Sequence, residues 1–191
     1  MRRDEAELLL DEARQMNDGG WVRHSYNVAY LAEKIAELCN MDIDKAYCYG
    51  LLHDIGRRSG KIQASHIIEG YKYMQEKGYC EEARICLTHT FQYKNTEAIY
   101  DNWDCEEKEI EIVKKYLDNI EYNDYDRLIQ LCDALTLEKG YCEAEKKMVS
   151  SVMKFGFKKL TLKKWKAILE LKEYFDAKTG IDIYCLFREC K

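Results

Sequence analysis

The chain has 191 residues, a formal net charge of −5, 47% hydrophobic residues and 34% charged residues. This composition is ordinary for a globular domain, and the net negative charge gives no general attraction to nucleic acid or to an anionic membrane. No stretch approaches the roughly 20 apolar residues that are needed to span a bilayer, so we expect a protein that does not associate with membranes.

Apolar residues recur at helical spacing along most of the chain, and no proline is present to interrupt long helices. Between Trp21 and Cys39, for example, they define one helix face, and His24 lies on the same stripe. The predicted helices, in chain order, cover residues 4–16, 21–39, about 42–53, 62–77, 81–90, 106–118 and 125–138, followed by two or three helices within 141–191.

The connections between these segments complete the predicted fold. Residues 91–105 lack clear periodicity and are predicted to form a loop over the core. Asp42 or Asp44 can cap the third helix, and glycines stop several others. Because strand signals are nearly absent, the sequence predicts an all-α fold, organised as one compact domain over residues 1–191.

The nine cysteines are scattered along the chain and never form a Cys-x-x-Cys pair. An odd number with irregular spacing argues against a disulfide framework, and the lack of paired thiols argues against a cysteine-ligated zinc site. Reduced cysteines fit a cytoplasmic protein best, and we therefore expect that location.

All four histidines belong to one ordered pattern with two aspartates, and each lies on an apolar stripe or at its edge. A single histidine in such a place is usually a hydrogen-bonded core residue, but a buried carboxylate needs a partner charge, hydrogen bonds or a metal ion. Six such residues together favour metal binding, because imidazole and carboxylate are ligands of divalent metals. The pattern consists of His24, His53-Asp54, His66, His89 and Asp133.

The order H…HD…H…H…D resembles the HD-domain superfamily of metal-dependent phosphohydrolases. Residues 51–57, LLHDIGR, are similar to the apolar approach to the HD pair and the Ile-Gly-Lys/Arg that follows it in that family. Residues 131–136, LCDALT, are similar to its final helix, in which an Asp precedes Ala-Leu-Ser/Thr. The resemblance covers about residues 20–140 and leaves about 141–191 as a C-terminal helical extension.

The resemblance implies a compact helical bundle that binds two divalent metal ions. One ion would be held by His24, His53, Asp54 and Asp133. Asp54 would bridge to a second ion, completed by His66 and His89. Fe, Mn, Ni, Mg, Co and Zn all accept nitrogen and oxygen ligands, so the identity of the metal stays open.

The activity implied by this likeness is hydrolysis of a small phosphate ester or anhydride, with nucleotides as a candidate class. Two metal ions can share a hydroxide that attacks phosphorus, which makes Asp54 a catalytic residue. Arg57 is expected to act in catalysis and to bind the substrate phosphate, and Arg58 and Lys61 are further candidates for that contact. The alternative for this basic run is a solvated helix C-terminus, where cations suit the helix dipole.

Two other features concern the substrate and possible partners. Gln92, which follows His89 closely, either contributes to a substrate pocket or packs on the core as a loop residue. The lysine cluster of residues 154–166 is interpreted as a solvated basic helix face, because no aromatic stacking motif or nucleic-acid fold accompanies it. The sequence thus predicts a small phosphorylated substrate rather than nucleic acid, and it predicts no particular oligomeric state.

Two alternative functions remain at this point. Some members of the same superfamily resemble this six-ligand pattern yet use a di-iron pair to cleave C–H or C–P bonds with oxygen. The ligands themselves do not separate this oxygenase from a hydrolase, because the residue types are the same in both. The second alternative is a non-catalytic domain that binds metal and a ligand without turnover.

Overall fold

The computed structural model describes residues 1–60 and 63–188, and these residues are mostly helical. The all-α class predicted from the sequence is confirmed. Its α-helices, in chain order, are α1 (Arg3–Met16), α2 (Gly20–Leu38), α3 (Ile43–Leu52), α4 (His66–Glu76), α5 (Cys80–Thr88), α6 (Glu107–Asn119), α7 (Asp124–Ala134), α8 (Ala144–Phe155) and α9 (Thr161–Thr179). Short 3₁₀ helices follow α3 and α9, at Ile55–Ser59 and Ile183–Leu186.

The core is built around α2, which packs against α3, α7 and α9. Its face with Val28, Leu31 and Ile35 is buried, as the apolar periodicity predicted. The C-terminal helix α9 adds Ile168 and Phe175 to the same apolar cluster. Burying a side chain of this size stabilises the fold by roughly 1.5–3 kcal/mol, so the C-terminal extension is part of the core.

The third helix begins at one of the two predicted caps. The side chain of Asp42 accepts a hydrogen bond from Lys45 N at 3.0 Å. This satisfies one of the backbone donors that every helix start leaves without an intrahelical partner. The helix then runs to Leu52, which places the His53-Asp54 pair at its C-terminal end.

The predicted helix over residues 62–77 is wrong at its start, because α4 begins at His66. The carboxylate of Asp104 accepts hydrogen bonds from Gln63 N at 2.7 Å and from Ser65 N at 2.8 Å. These bonds hold the chain in a turn before the helix. Ile62, the first residue of the predicted helix, lies outside the described residues.

The predicted helix over residues 125–138 is wrong at its end, because α7 stops at Ala134. A small antiparallel hairpin follows, in which β1 (Thr136–Leu137) pairs with β2 (Gly140–Tyr141). The backbone of Gly140 has a φ of 126°, a conformation that favours glycine and permits the tight turn. Cys142 N then donates to Leu135 O at 2.8 Å and closes the hairpin against the helix end.

Among the residues that the structure describes, no helix has both the length and the apolar character needed to cross a bilayer.

The 3₁₀ helix after α3 makes a very close contact with the first turn of α4. A Cβ atom at Gly56 would overlap His66 O and would lie 2.5 Å from Gly70 N. Gly70 is itself close to Cys86 of α5, because a Cβ there would lie 3.1 Å from Cys86 Cβ. The absence of a side chain at Gly56 therefore lets the HD segment approach His66.

We expect Gly56→Ala to destabilise the protein by about 1–3 kcal/mol, because the new methyl group would clash with backbone atoms of α4, which cannot move aside as a flexible side chain can. Urea denaturation would measure this change. Ser59→Ala, at the exposed end of the same 3₁₀ helix, is the control and should change stability by no more than about 0.5 kcal/mol. Equal stability of the two variants would contradict the close-contact argument.

Candidate metal centre

The six predicted ligands come together at the ends of helices. We refer to them as the His/Asp cluster. Two of them are the adjacent His53-Asp54 pair, and each of the other four comes from a different part of the fold. Its members are His24 in α2, His53 and Asp54 after α3, His66 at the start of α4, His89 after α5 and Asp133 near the end of α7.

The described part of the chain contains two sets of three potential ligands, and in each set the ligand atoms lie within 4.8 Å of one another. The first set is His24, His53 and Asp54. The second set is Asp54, His66 and His89. Asp54 belongs to both, as expected of a carboxylate that bridges two ions.

The two carboxylate oxygens of Asp54 face different histidines. Oδ1 lies 3.1 Å from His66 Nε2 and 3.7 Å from His89 Nε2. Oδ2 lies 3.8 Å from His53 Nε2. Although burial raises the pKa of Asp54, the positive charge of Arg57 holds that pKa well below its usual value, so the carboxylate is ionised.

Three of the imidazoles are oriented by their second ring nitrogen. The Nδ1 atoms of His53, His66 and His89 each face a backbone carbonyl, which fixes the ring with Nε2 towards Asp54. Those carbonyls belong to Gly50 at 2.7 Å, Gln63, and Cys86 at 2.9 Å, respectively. A ring that donates from Nδ1 presents a lone pair at Nε2, which is the arrangement of metal-binding histidines.

His53 shows why a metal ion fits this arrangement. Its Nε2 atom is buried and has no hydrogen-bond partner among residues 1–60 and 63–188, although most buried polar atoms are paired. Burial lowers the pKa of His53, and burial together with the neighbouring His53 lowers the pKa of His89 to about 3. Neutral imidazoles with available lone pairs are suitable metal ligands.

Asp133 lies at the edge of the cluster, outside both three-ligand sets. Its Oδ1 atom is 3.1 Å from His24 Nε2 and 3.1 Å from Lys147 Nζ. Burial raises the pKa of Asp133, but Lys147 and His24 hold it well below the usual value. Lys147 also donates to the backbone carbonyls of Asp133 and Thr136, so a residue of α8 supports a predicted ligand.

Arg57 contacts the cluster directly. Its Nε atom donates to Asp54 Oδ2 at 2.7 Å, and Nη2 lies 3.4 Å from His66 Nε2. About a quarter of the side chain is exposed, and it lines the pocket above the cluster. This position keeps both predicted roles of Arg57 possible, in catalysis and in phosphate binding.

The other predicted substrate contacts are placed differently. Arg58 turns away from the pocket: its Nη2 donates to Met16 Sδ, and its guanidinium lies 4.1 Å from the ring centre of Tyr73. Gln92 donates to the carbonyls of His89 and Gln130 and lines a small cavity beside the cluster. Lys61 lies outside the described residues.

A pocket of about 510 Å³ opens above the His/Asp cluster. This volume is in the range of small-molecule sites. The pocket walls include three aromatic side chains and one further cation, contributed by different segments of the chain. They are Trp21, Tyr100, Phe155 and Lys147.

The interpretation of the lysine cluster as a solvated helix face is wrong for Lys164, which is only 5% exposed. Its Nζ atom donates to Thr90 O at 2.6 Å and to Ala98 O at 3.1 Å. A sequence signal for this burial exists, because Lys164 lies on the same helical stripe as Ile168 and Phe175. By the argument used for the histidines, it was a candidate for a buried, hydrogen-bonded residue.

The α5–α6 loop, residues 89–106, has no helix or strand, which confirms the prediction for its central part. Besides Lys164, other residues of the C-terminal region bind it. Lys158 Nζ donates to Asp101 O at 3.0 Å, and Trp165 Nε1 donates to Tyr100 OH at 2.7 Å. The loop is therefore held in place over the core and forms one wall of the pocket.

Comparison with known proteins identifies one family. The HD-domain family model matches residues 21–138, a range that contains all six members of the His/Asp cluster. No curated protein and no solved structure matches the chain.

We expect the protein to bind two divalent ions per chain. How many ions a variant loses should depend on whether the substituted ligand belongs to one set or to both. His89→Ala should retain about one ion, whereas Asp54→Asn should bind neither tightly, because Asp54 belongs to both sets. Metal content after dialysis, measured by mass spectrometry, tests this, as does the rise in melting temperature on adding metal. Asp101→Asn, which changes a pocket residue outside both ligand sets, should bind metal like the unchanged protein. Equal loss of metal in all three variants would contradict the assignment.

A second prediction concerns the stability contributed by Lys164. Burial lowers its pKa to about 8, against about 10.4 in an unfolded chain. Between these values the unfolded chain binds more protons than the native protein, so stability should increase as pH rises through this window. Relative to Lys164→Met, the unchanged protein should gain up to about 3 kcal/mol between pH 7 and pH 10.5.

Urea denaturation of both proteins across this pH range would measure the difference, since tyrosines and cysteines titrate in both and largely cancel. A difference that stays constant with pH would show that the Lys164 ammonium is not destabilised by burial.

Proposed function

This chain belongs to the HD-domain family, and on that premise we propose that it is a metal-dependent phosphohydrolase that cleaves a small phosphate ester or anhydride, with nucleotides as the first class to test. The observation that carries this proposal is the sharing of Asp54 between two sets of three ligands at the base of a small-molecule pocket. Such a site can place two ions beside one bound phosphate.

The residues present fit a metal pair, as two observations indicate: Nε2 of His53 has no hydrogen-bond partner in the described part of the chain, and the carboxylate of Asp54 is ionised. When bound, two divalent ions would lower the pKa of a water molecule and polarise a phosphoryl oxygen. First-row metals accept this set of imidazoles and carboxylates.

The residues of the chain prepare the site for this chemistry. The backbone carbonyls behind His53, His66 and His89 hold the imidazoles in one orientation, so that little reorganisation is needed. Arg57 places a permanent positive charge at the same end of the pocket. Its guanidinium can bind a phosphoryl group in two-pronged geometry and stabilise the negative charge that develops there.

The dimensions of the pocket, and the positive charge that a bound metal pair would add to it, support a small anionic substrate. A volume of about 510 Å³ accommodates a molecule of nucleotide size. The cations Arg57 and Lys147 line it together with the carboxylates of Asp54, Asp101, Asp133 and Glu138, so the positive charge that attracts a phosphate would come largely from the bound divalent ions. The chain as a whole carries a net charge of −5, which favours a small phosphate compound over a nucleic-acid polymer.

The test is phosphate release from a panel of nucleotides and phosphate esters, with each of the candidate divalent metals supplied in turn. We expect metal-dependent turnover, and we expect Asp54→Asn to reduce kcat/KM by about a hundredfold or more because both ions lose a ligand. Arg57→Lys keeps the positive charge but loses the planar guanidinium, which can donate two parallel hydrogen bonds to a phosphate. It should reduce kcat/KM by about tenfold.

Arg58→Lys is the matched control, because Arg58 lies against Met16 and Tyr73 rather than in the pocket, and its turnover should match that of the unchanged protein. If no phosphate is released from any substrate and iron-loaded protein instead consumes oxygen in the presence of an organic substrate, the protein is an oxygenase. Metal binding without turnover of either kind would leave a ligand-binding domain.

A further inference from the structure

Two aromatic side chains, Tyr100 and Phe155, line the same pocket as the His/Asp cluster. We call them the aromatic pair. Their ring planes are within 18° of parallel, and the ring centres are 6.4 Å apart. Because the planes are nearly parallel, a planar group that stacks on one ring has the orientation needed to pack against the other.

Tyr100 is held in position from behind by α9. Trp165 Nε1 donates to its hydroxyl at 2.7 Å, and the Lys164 ammonium lies 5.3 Å from its ring centre. Lys164 also binds the carbonyls of Thr90 and Ala98, which precede Tyr100 in the same loop. A loop residue with this many fixed contacts presents its ring without a large entropic cost of ordering on binding.

Phe155 lies on α8 and lines the pocket, on the helix face that also carries Ser151 one turn earlier and Lys147 two turns earlier. The Lys154 ammonium lies 4.6 Å from the Phe155 ring centre. Together with Lys164 it places positive charge beside the aromatic pair, which suits a ring carried by an anionic molecule.

The aromatic pair depends on parts of the chain outside the family match. Phe155 and Trp165 follow residue 138, where the match ends. The HD core therefore supplies the ligands, and the C-terminal extension supplies one ring and the support of the other.

We propose that the aromatic pair is the subsite for a planar ring of the substrate, so that the site prefers phosphate esters that carry an aromatic or heterocyclic ring. Trp165 and Lys164 are positioning residues for this subsite. The proposal rests on the proposed function for the reaction itself, but ring preference is a property of binding and is measured separately from turnover.

The experiment compares adenosine monophosphate with ribose 5-phosphate, which share the phosphate and the sugar and differ in the ring. Ligand-observed NMR titrations of the full chain, as purified, give both Kd values, and ³¹P spectra of the same samples report any phosphate release. We expect adenosine monophosphate to bind about tenfold more tightly, or better, than ribose 5-phosphate, the effect of one stacked base.

Single substitutions test whether the aromatic pair causes the preference for the ring-bearing ligand. Tyr100→Leu and Phe155→Leu should each raise the Kd of adenosine monophosphate by about tenfold and leave that of ribose 5-phosphate within about twofold. Trp165→Phe, which removes the hydrogen bond to Tyr100 but keeps an aromatic ring at this position, should raise the Kd of the ring-bearing ligand by about threefold. Tyr30→Leu, a partly exposed aromatic outside the pocket, should change neither value.

Equal affinities for the two ligands in the unchanged protein would overturn the inference, even if both were hydrolysed and the proposed function stood. A ring preference without phosphate release would sustain the inference and count against the proposed function. If Trp21→Leu removes the preference while Phe155→Leu retains it, the ring binds elsewhere in the pocket and the aromatic pair is not its subsite. Phe155→Leu keeps the test decisive if Tyr100→Leu does not fold.

Discussion

The structure depends on the ionised carboxylate of Asp54 inside the fold, where only 5% of the residue is exposed. An isolated carboxylate in such a place would be strongly destabilising, so the surrounding elements have to supply partners. His53, like Asp54, follows the end of α3. His66 comes from the start of α4, and Arg57 from the 3₁₀ helix between these two elements. The close approach at Gly56, which leaves no room for a side chain, brings these partners together.

The two carboxylates of the cluster each have their own cation, and these cations come from different regions. Arg57 binds Asp54 from within the HD segment, whereas Lys147 binds Asp133 from α8. In each case the positive charge offsets the cost of keeping a carboxylate ionised away from bulk water. The C-terminal extension is therefore electrostatically connected to the family core.

The same extension also determines the shape of the pocket. A loop without regular secondary structure has few internal hydrogen bonds to fix it, and the α5–α6 loop obtains its fixed contacts from Lys158, Lys164 and Trp165. Because that loop carries Tyr100 into the pocket, changes in α9 are expected to alter what the site binds while leaving the cluster intact. Under the proposed function, the HD core would supply the metal ligands, and the extension would support Asp133 and the pocket wall.

The sequence by itself determined the helical class, most helix positions and the ordered set of candidate metal ligands. Apolar periodicity is a local property, so it can be recognised in the sequence. The candidate ligands can be recognised because His24 and Asp133 lie on buried stripes, where polar residues are otherwise rare. The limits of α4 and α7 were missed because they depend on distant groups, namely Asp104 at the first and Lys147 at the second.

Tertiary structure alone decided which basic residues enter the pocket. Arg57 and Arg58 are neighbours in the same basic run, yet one contacts Asp54 and the other packs on Tyr73. Lys147 gave no sequence signal at all, since a lysine on a helix is usually solvated. The reason is physical: a long cationic side chain takes its position from the carboxylates, carbonyls and rings that the fold brings within its reach, and those partners are distant in the sequence.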